Sequence, residues 1–368
     1  MRCTVISRPL MLTSICLCSI SAFAQALPDI SGIWSFSGKS FSATAKITQE
    51  GSQLGGLFVY GGNPTPSTIS GSISTLFGPH VHIYVQNGDS YSGDILSETS
   101  MKGQTGSGAT WIASRLPGFG PPTITGVTNA ASGSAGSIAP GEIISVYAIA
   151  AINPIGPSTG VSLQLDQSGK VSTTLGGVRV HFMPIDAYAP VTYASGGQIN
   201  AVVPYEVAGL ANATVQVQYL GQTSNAFAVQ VAATAPSIFT VNGTGTGQGA
   251  ILNHDGRLNG PTTQEPKGGI VVLFITGEGQ TSPPGVSGKI TTVSSTPPLT
   301  PKSTAAVSVL INGQQASVAF YGEAPDLVSG VMQVNVQIPT TISSGNVPIQ
   351  VLVGGKSSQN GVTVAVGQ

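Results

Sequence analysis

Charge is scarce in this chain. Only 7% of its 368 residues are Asp, Glu, Lys or Arg, against about a quarter in an average soluble domain. Formal net charge is −1, from 13 basic and 14 acidic residues. No run of Lys or Arg and no basic helix occurs, so the concentrated positive footprint of nucleic-acid binding is missing. Cysteine is almost absent. Cys3, Cys16 and Cys18 are all there is, and all lie in an N-terminal leader. A chain cut behind that leader has no thiol, which excludes disulfides, thiolate metal sites and Cys nucleophiles together. No later segment holds 18 continuous apolar residues, so no transmembrane anchor is expected. Stretches of 3.6-residue period with caps are missing, so helices should be few.

What is abundant points to strands. There are 49 Gly and 25 Pro, and hydrophobic residues still reach 40%. Val and Thr between frequent turn formers fit short strands joined by tight turns, an all-β class with enough apolar material for real cores. At the N-terminus Arg2 and Arg8 precede an apolar run over 10–18, followed by Ala22-Phe23-Ala24. This predicts a signal peptide, residues 1–24, cut after Ala24, and a secreted product, extracellular or periplasmic. Neither Cys16 nor Cys18 has the preceding context that lipidation needs. Losing Arg2 and Arg8 with the leader leaves 11 basic against 14 acidic residues, a net charge of −3.

Residues 25–116 form a first unit. Alternation over 41–49, a turn at Glu50-Gly51-Ser52 and a return over 54–60 read as a hairpin. Strand-like segments at 69–74, 81–85, 91–96, 100–103 and 110–113 continue the meander, and a small antiparallel barrel or curled sheet is its natural closure. Gly32-Ile33-Trp34 with Ile47-Thr48-Gln49-Glu50-Gly51 resembles the start of lipocalin-like small barrels. Residues 117–123 are a Pro/Gly linker.

From there the sequence repeats itself. Ala189-Pro190, Gln198-Ile199-Asn200 and Pro204 recur as Ala324-Pro325, Gln333-Val334-Asn335 and Pro339, at a constant offset of 135 residues. Downstream, 215–219 with Ser224-Asn225 matches 349–353 with Gln359-Asn360. A duplicated β module accounts for this, with units at 124–235 and 236–368 meeting at Ala235-Pro236-Ser237. Six or seven short strands per unit, with turn signals about every ten residues, are the pattern of an immunoglobulin-like sandwich. The Pro/Thr/Ser-rich stretch 281–303 is a loop or edge insertion in the second.

Several ordered motifs carry a family resemblance over roughly 124–366. They are Asn129-Ala130-Ala131-Ser132, then Ala139-Pro140-Gly141-Glu142-Ile143-Ile144-Ser145-Val146, then Gln198-Ile199-Asn200. In the second unit they are Ala235-Pro236-Ser237-Ile238-Phe239, then 248–253 with Asp255-Gly256, then Gln333-Val334-Asn335. Together these resemble the uncharacterised C-terminal domain of secreted proteins of Solibacter-type acidobacteria, itself similar to the IPT/TIG class of immunoglobulin-like folds. The resemblance implies a sandwich fold and a secreted context, and no activity.

Candidate site residues are few. Gln198/Asn200 and Gln333/Asn335 stand at alternate strand positions, so each pair shares a face. A polar ligand ladder is one reading. The simpler one is amides tying a neighbouring loop or strand end, with Pro204 and Pro339 ending the strands. Trp34, Tyr60, Tyr84, Tyr91 and Trp111 concentrate aromatics in the first unit, either to plug its core or to form a platform for a sugar or apolar ligand. His80-x-His82 has strand spacing for two zinc ligands without a visible third, and His181 and His254 are isolated. The segment 253–259 has calcium-type oxygens without EF-hand spacing, and Asp255-Gly256 reads as a turn. No G-x-S-x-G occurs. Glu142, Glu206, Glu278, Glu323 and Asp326 are possible carboxylates for a hydrolase in number only. No catalytic, cofactor or metal residue is assigned, and no cofactor is expected.

The composition therefore favours a secreted, non-catalytic, surface-associated protein acting by adhesion or binding, with polysaccharide or other surface proteins as partners and no nucleic acid. Two alternatives stay open: a small-ligand barrel with the sandwiches as spacers, and a hydrolase with its site at the module seam.

Overall fold

A computed structural model describes residues 27–368 apart from 62–65, 77, 117–120, 151–152, 158 and 293–299. The leader, most of the linker and part of the 281–303 stretch lie outside the described residues. The chain is all-β. Its described helical content is one 3-10 turn, Tyr205–Val207.

The first unit is a closed eight-stranded barrel, β1 (Gly32–Gly38), β2 (Ser42–Glu50), β3 (Gln53–Tyr60), β4 (Ser67–Ser74), β5 (His80–Val85), β6 (Ser90–Ser97), β7 (Ser100–Thr105) and β8 (Thr110–Arg115). Each strand pairs with the next, and β8 returns to β1 with Trp111 opposite Gly38. Period-two alternation sends Trp34, Phe36, Phe58, Tyr91, Met101 and Trp111 inward, where all six are buried. Closure leaves no free edge to solvate.

The first repeat is a two-layer unit. Its strands are β9 (Gly126–Asn129), β10 (Ile143–Tyr147), β11 (Val161–Ser162), β12 (Val178–Met183), β13 (Ala187–Ala189), β14 (Val191–Ala194), β15 (Gln198–Val202), β16 (Asn212–Tyr219), β17 (Gln222–Thr223) and β18 (Phe227–Gln230). One sheet runs β11-β14-β15-β10-β9; the other runs β13-β12-β16-β17, with β18 also on β16. Ile144, Val146, Ile199 and Ala201 face Val180, Phe182, Val215 and Val217 in one aliphatic cluster. Ile33 and Val59 of the barrel join it, so the barrel is docked on this unit.

The second repeat has its own cluster, built on Leu273, Val309, Val334, Val351 and Val364. Here the two layers are one ten-stranded sheet folded over itself. The long strand Gln314–Glu323 makes the fold. Its start pairs with Val307–Ile311, its end with Val331–Gln337, and its register shifts between Val318 and Phe320. In the first repeat the same task is divided between β13 and β14, which belong to different sheets on either side of Pro190. Proline has no N–H for a ladder. The counterpart Pro325 falls beyond the end of its strand, which therefore runs on unbroken.

Both repeats hold their entering strand with one amide. Asn225 Oδ1 accepts from the Ile124 N–H at 2.7 Å while its Nδ2 donates to Ile124 O at 3.3 Å. Gln359 does the same to Ile238, at 3.0 and 2.7 Å. Just before each, Ser224 Oγ accepts from Val217 N and Ser358 Oγ from Val351 N. The structural equivalents of Ser224-Asn225 are thus Ser358-Gln359, one residue earlier than sequence matching suggests.

A small third cluster joins the repeats, with Ile143, Val171 and Val202 against Ala324, Val328 and Val331. Thr276 Oγ1 accepts from Ile143 N at 2.8 Å and donates to Gly330 O at 2.7 Å, stitching the seam.

Candidate functional site

Of the five aromatics, Trp34, Tyr91 and Trp111 are core residues, each at most 2% exposed. Phe36 meets Phe58 at 5.2 Å and Trp111 at 5.3 Å, and Phe58 meets Tyr91 at 5.0 Å. Rings in mutual contact across the interior are packing, not ligand room. Tyr60 is half-buried and reaches the Tyr91 hydroxyl at 3.2 Å. Tyr84 is 54% exposed on the outer wall beside His82. The five do not share a surface, because alternation sends Tyr84 to the opposite face from Trp34, Tyr91 and Trp111.

The histidines have local partners. His80 and His82 both reach Ser92 Oγ at 3.0 Å, and His80 Nδ1 lies 3.1 Å from Asp94. His254 sits 2.8 Å from Glu265. The oxygens of 253–259 are consumed within the fold. Asn253 Oδ1 accepts from Asn259 Nδ2, Asn259 Oδ1 accepts from Ala365 N, and the Asp255 carboxylate accepts from the backbone N–H and the Nε–H of Arg257. Among the described residues no group of three or more His, Cys, Asp or Glu is arranged for a metal ion.

The seam gathers the acids that were candidates in number only. Glu142 is 1% exposed, accepting from Asn129 Nδ2 at 2.8 Å and Ala139 N at 2.7 Å. Burial outweighs those bonds and pushes its carboxyl up to about 8. Glu323 accepts from Tyr205, Thr291 and Ser329 hydroxyls. Glu278 is wholly buried, and neither carboxyl oxygen has a partner. Burial first, and the Glu323 charge second, hold it well above the ordinary carboxylate range. Burial, with the two acids behind it, also raises the Tyr205 hydroxyl. Glu206 lies outside this group, accepting from Ser287 at 3.1 Å. Asp326 is exposed in the loop after the long strand. A glycosidase needs two carboxyls facing a substrate across a cleft; Glu278 and Glu323 face protein.

The amide pairs make the duplicated feature. Gln198 Nε2 donates to Asn200 Oδ1 at 2.9 Å, and Gln333 Nε2 donates to Asn335 Oδ1 at 2.8 Å. Each bond lies within one strand, and in the first repeat Asn200 is also tied to the neighbouring strand β10 by Ser145 Oγ, which donates to its Oδ1 at 2.9 Å. Among the described residues, the Gln Oε1 and the Asn Nδ2 of each pair have no hydrogen-bond partner. Both pairs are half-buried on outer sheet faces. In the first repeat Tyr147 stands opposite Gln198, and Tyr193 opposite Asn200. In the second, Phe274 stands opposite Gln333, and Phe320 opposite Asn335. Residues two positions along these strands, Val202 and Val331, enter the seam cluster, so the two faces flank one joint.

Sequence reading missed Arg179. The signal was present in Val178-Arg179-Val180-His181-Phe182, whose alternation sets Arg179 and His181 on one outer face of β12. Tyr188 joins them by strand pairing, opposite His181.

No helix among the described residues is long and apolar enough to cross a membrane. No protein-family model matches the sequence, and no curated protein matches it. Among solved structures, the chain is similar to SGBP-B of the Bacteroides ovatus mixed-linkage glucan utilization locus, in complex with a mixed-linkage heptasaccharide. That likeness has 10% identity and TM-score 0.27 and covers 76% of this chain and 53% of that one, about half its length. Domains 5–6 of the S-layer protein SbsC match at 17% identity and TM-score 0.21, over 67% of this chain and 98% of that one. A polysaccharide lyase matches at 9% identity and TM-score 0.19, over 92% of this chain and 39% of that one. At such scores these likenesses say nothing about what this chain binds.

Proposed function

We propose that the chain is a secreted, non-catalytic binding protein that holds extracellular polysaccharide on the two amide–aromatic faces of its repeats. The observation that carries this is the duplicated pair, Gln198/Asn200 and Gln333/Asn335, each with a spare acceptor and a spare donor beside aromatic rings. Adjacent sugar hydroxyls donate and accept together, and the C–H face of a pyranose packs on a ring. Neutral groups suit a neutral ligand, and no charge has to be desolvated. Two such faces on one chain raise avidity along a polymer without new contacts.

Affinity electrophoresis of the full chain through gels containing neutral glucans, xylans or mannans tests the reading. Retardation by at least one polymer is expected. It should weaken in Gln198→Ala/Asn200→Ala or Gln333→Ala/Asn335→Ala and vanish in the quadruple variant, with the circular dichroism spectrum retained. Absence of retardation in every polymer, or a quadruple variant as retarded as the parent, rejects it.

A further inference from the structure

The joint between barrel and first repeat holds a cavity of about 510 Å³. Its wall includes Pro66 of the barrel and Arg179, Gln218, Gln222 and Thr223 of the repeat, and no acidic residue. Arg179 is the one charged group there. Its guanidinium lies over the Tyr188 ring, with Cζ 3.3 Å from the ring centroid. Tyr188 is stacked in turn on His181 at 4.6 Å and 19°, and its hydroxyl reaches Gln218 Oε1 at 3.4 Å. His181 Nε2 lies 2.7 Å from Asp186.

This stack fixes the plane of the guanidinium and supplies no hydrogen-bond acceptor to it. Arg179 Nε is buried without a partner, and no ion pair of the described residues involves Arg179. A half-buried cation held by a ring face is compensated on that face only, and its other N–H donors can take a partner from outside the chain. With one face covered by Tyr188 and Nε buried, what a ligand can meet is the terminal Nη1/Nη2 edge, whose coplanar N–H donors match a planar carboxylate in two parallel bonds.

We propose that this cavity is a subsite for a carboxylate-bearing sugar, with the Arg179 edge gripping the carboxylate and Gln218, Gln222 and Thr223 meeting the ring hydroxyls. The carboxylate arrives on a sugar only if the polysaccharide reading above holds; the anion site itself rests on Arg179 alone. Arg179 stands on β12, in the sheet opposite the one carrying Gln198 and Asn200, so acidic and neutral contacts are separate.

Calorimetric titration of the full chain with trigalacturonate and with its methyl ester tests this, inorganic sulfate serving as competitor. The free acid should bind at least about tenfold more tightly than the ester, the range of a charge-assisted hydrogen-bond pair. Arg179→Gln should remove that preference and leave affinity for the ester unchanged, with Arg179→Lys in between. Equal binding of acid and ester, no binding of either, or an Arg179→Gln variant as tight as the parent overturns the subsite. Sulfate displacing trigalacturonate at equal concentration would also overturn it, marking a general anion site. Retardation in neutral-polymer gels should be untouched by Arg179→Gln, so failure here and failure of the neutral-face reading are told apart.

Discussion

Raising the pH from 4 to 9 should destabilise this protein, because burial raises two seam carboxyls above the ordinary carboxylate range. Glu142, 1% exposed, has its carboxyl pushed from 4.5 up to about 8 by burial. Between those values the folded chain keeps a proton that the unfolded chain has lost. Folding then takes up a proton, so stability falls as pH rises. The contribution is complete below about pH 4.5 and exhausted above about pH 8. One pKa step is worth about 1.4 kcal/mol, so full titration of Glu142 amounts to roughly 5 kcal/mol. Glu278 acts in the same sense, since burial and the Glu323 charge raise its carboxyl too. Urea unfolding midpoints at pH intervals from 4 to 9 measure the slope. Glu142→Gln and Glu278→Met should flatten it when combined. The slope is the readout rather than the level, because Gln leaves either Asn129 Nδ2 or Ala139 N–H facing another donor. A parent slope that is flat or rising between pH 5 and 8, or one unchanged in the double variant, would refute the reasoning.

Four further outcomes are expected from the packing. Glu278→Met alone should stabilise the chain at pH 8 by about 1–3 kcal/mol, because it removes a buried polar group without hydrogen-bond partners, read as a shift in denaturant midpoint. Phe58→Ala should cost about 3–5 kcal/mol by opening a cavity among the barrel rings, with a matching loss in near-ultraviolet circular dichroism. Tyr205→Phe strips a buried hydroxyl from Glu323 and should cost about 1–3 kcal/mol in thermal unfolding at pH 6. The two-residue hairpin after Val307–Ile311 turns on Asn312 and Gly313, at φ 50° and 74°. Gly313→Ala there should cost about 1 kcal/mol or more, measured by the same unfolding.

The parts legible in the sequence are those set by local alternation. Strand positions, the meander over 25–116 and the doubling at 135 residues follow from period-two patterns and turn residues. Long-range pairing was not legible. Pro190 and Pro325 sit in matching text, yet one separates two strands and the other lies past the end of one. The difference is made by which neighbour each strand meets. The acids at the seam carry no periodic mark; Glu278 and Glu323 are 45 residues apart and meet only when the repeat closes. The amide pairs were visible as shared-face residues, but their bond to one another depends on side-chain reach and not on spacing. Arg179 was written in an alternating strand and overlooked because a lone arginine reads as a solvated surface residue.

The paired clamps at Ile124 and Ile238 have a mechanical consequence. Each amide locks both the N–H and the C=O of one residue at the point where the chain enters a repeat. Load that enters a repeat through its N-terminal segment falls on that residue. Both bonds of a clamp must then let go together, so neither repeat is peeled open one link at a time.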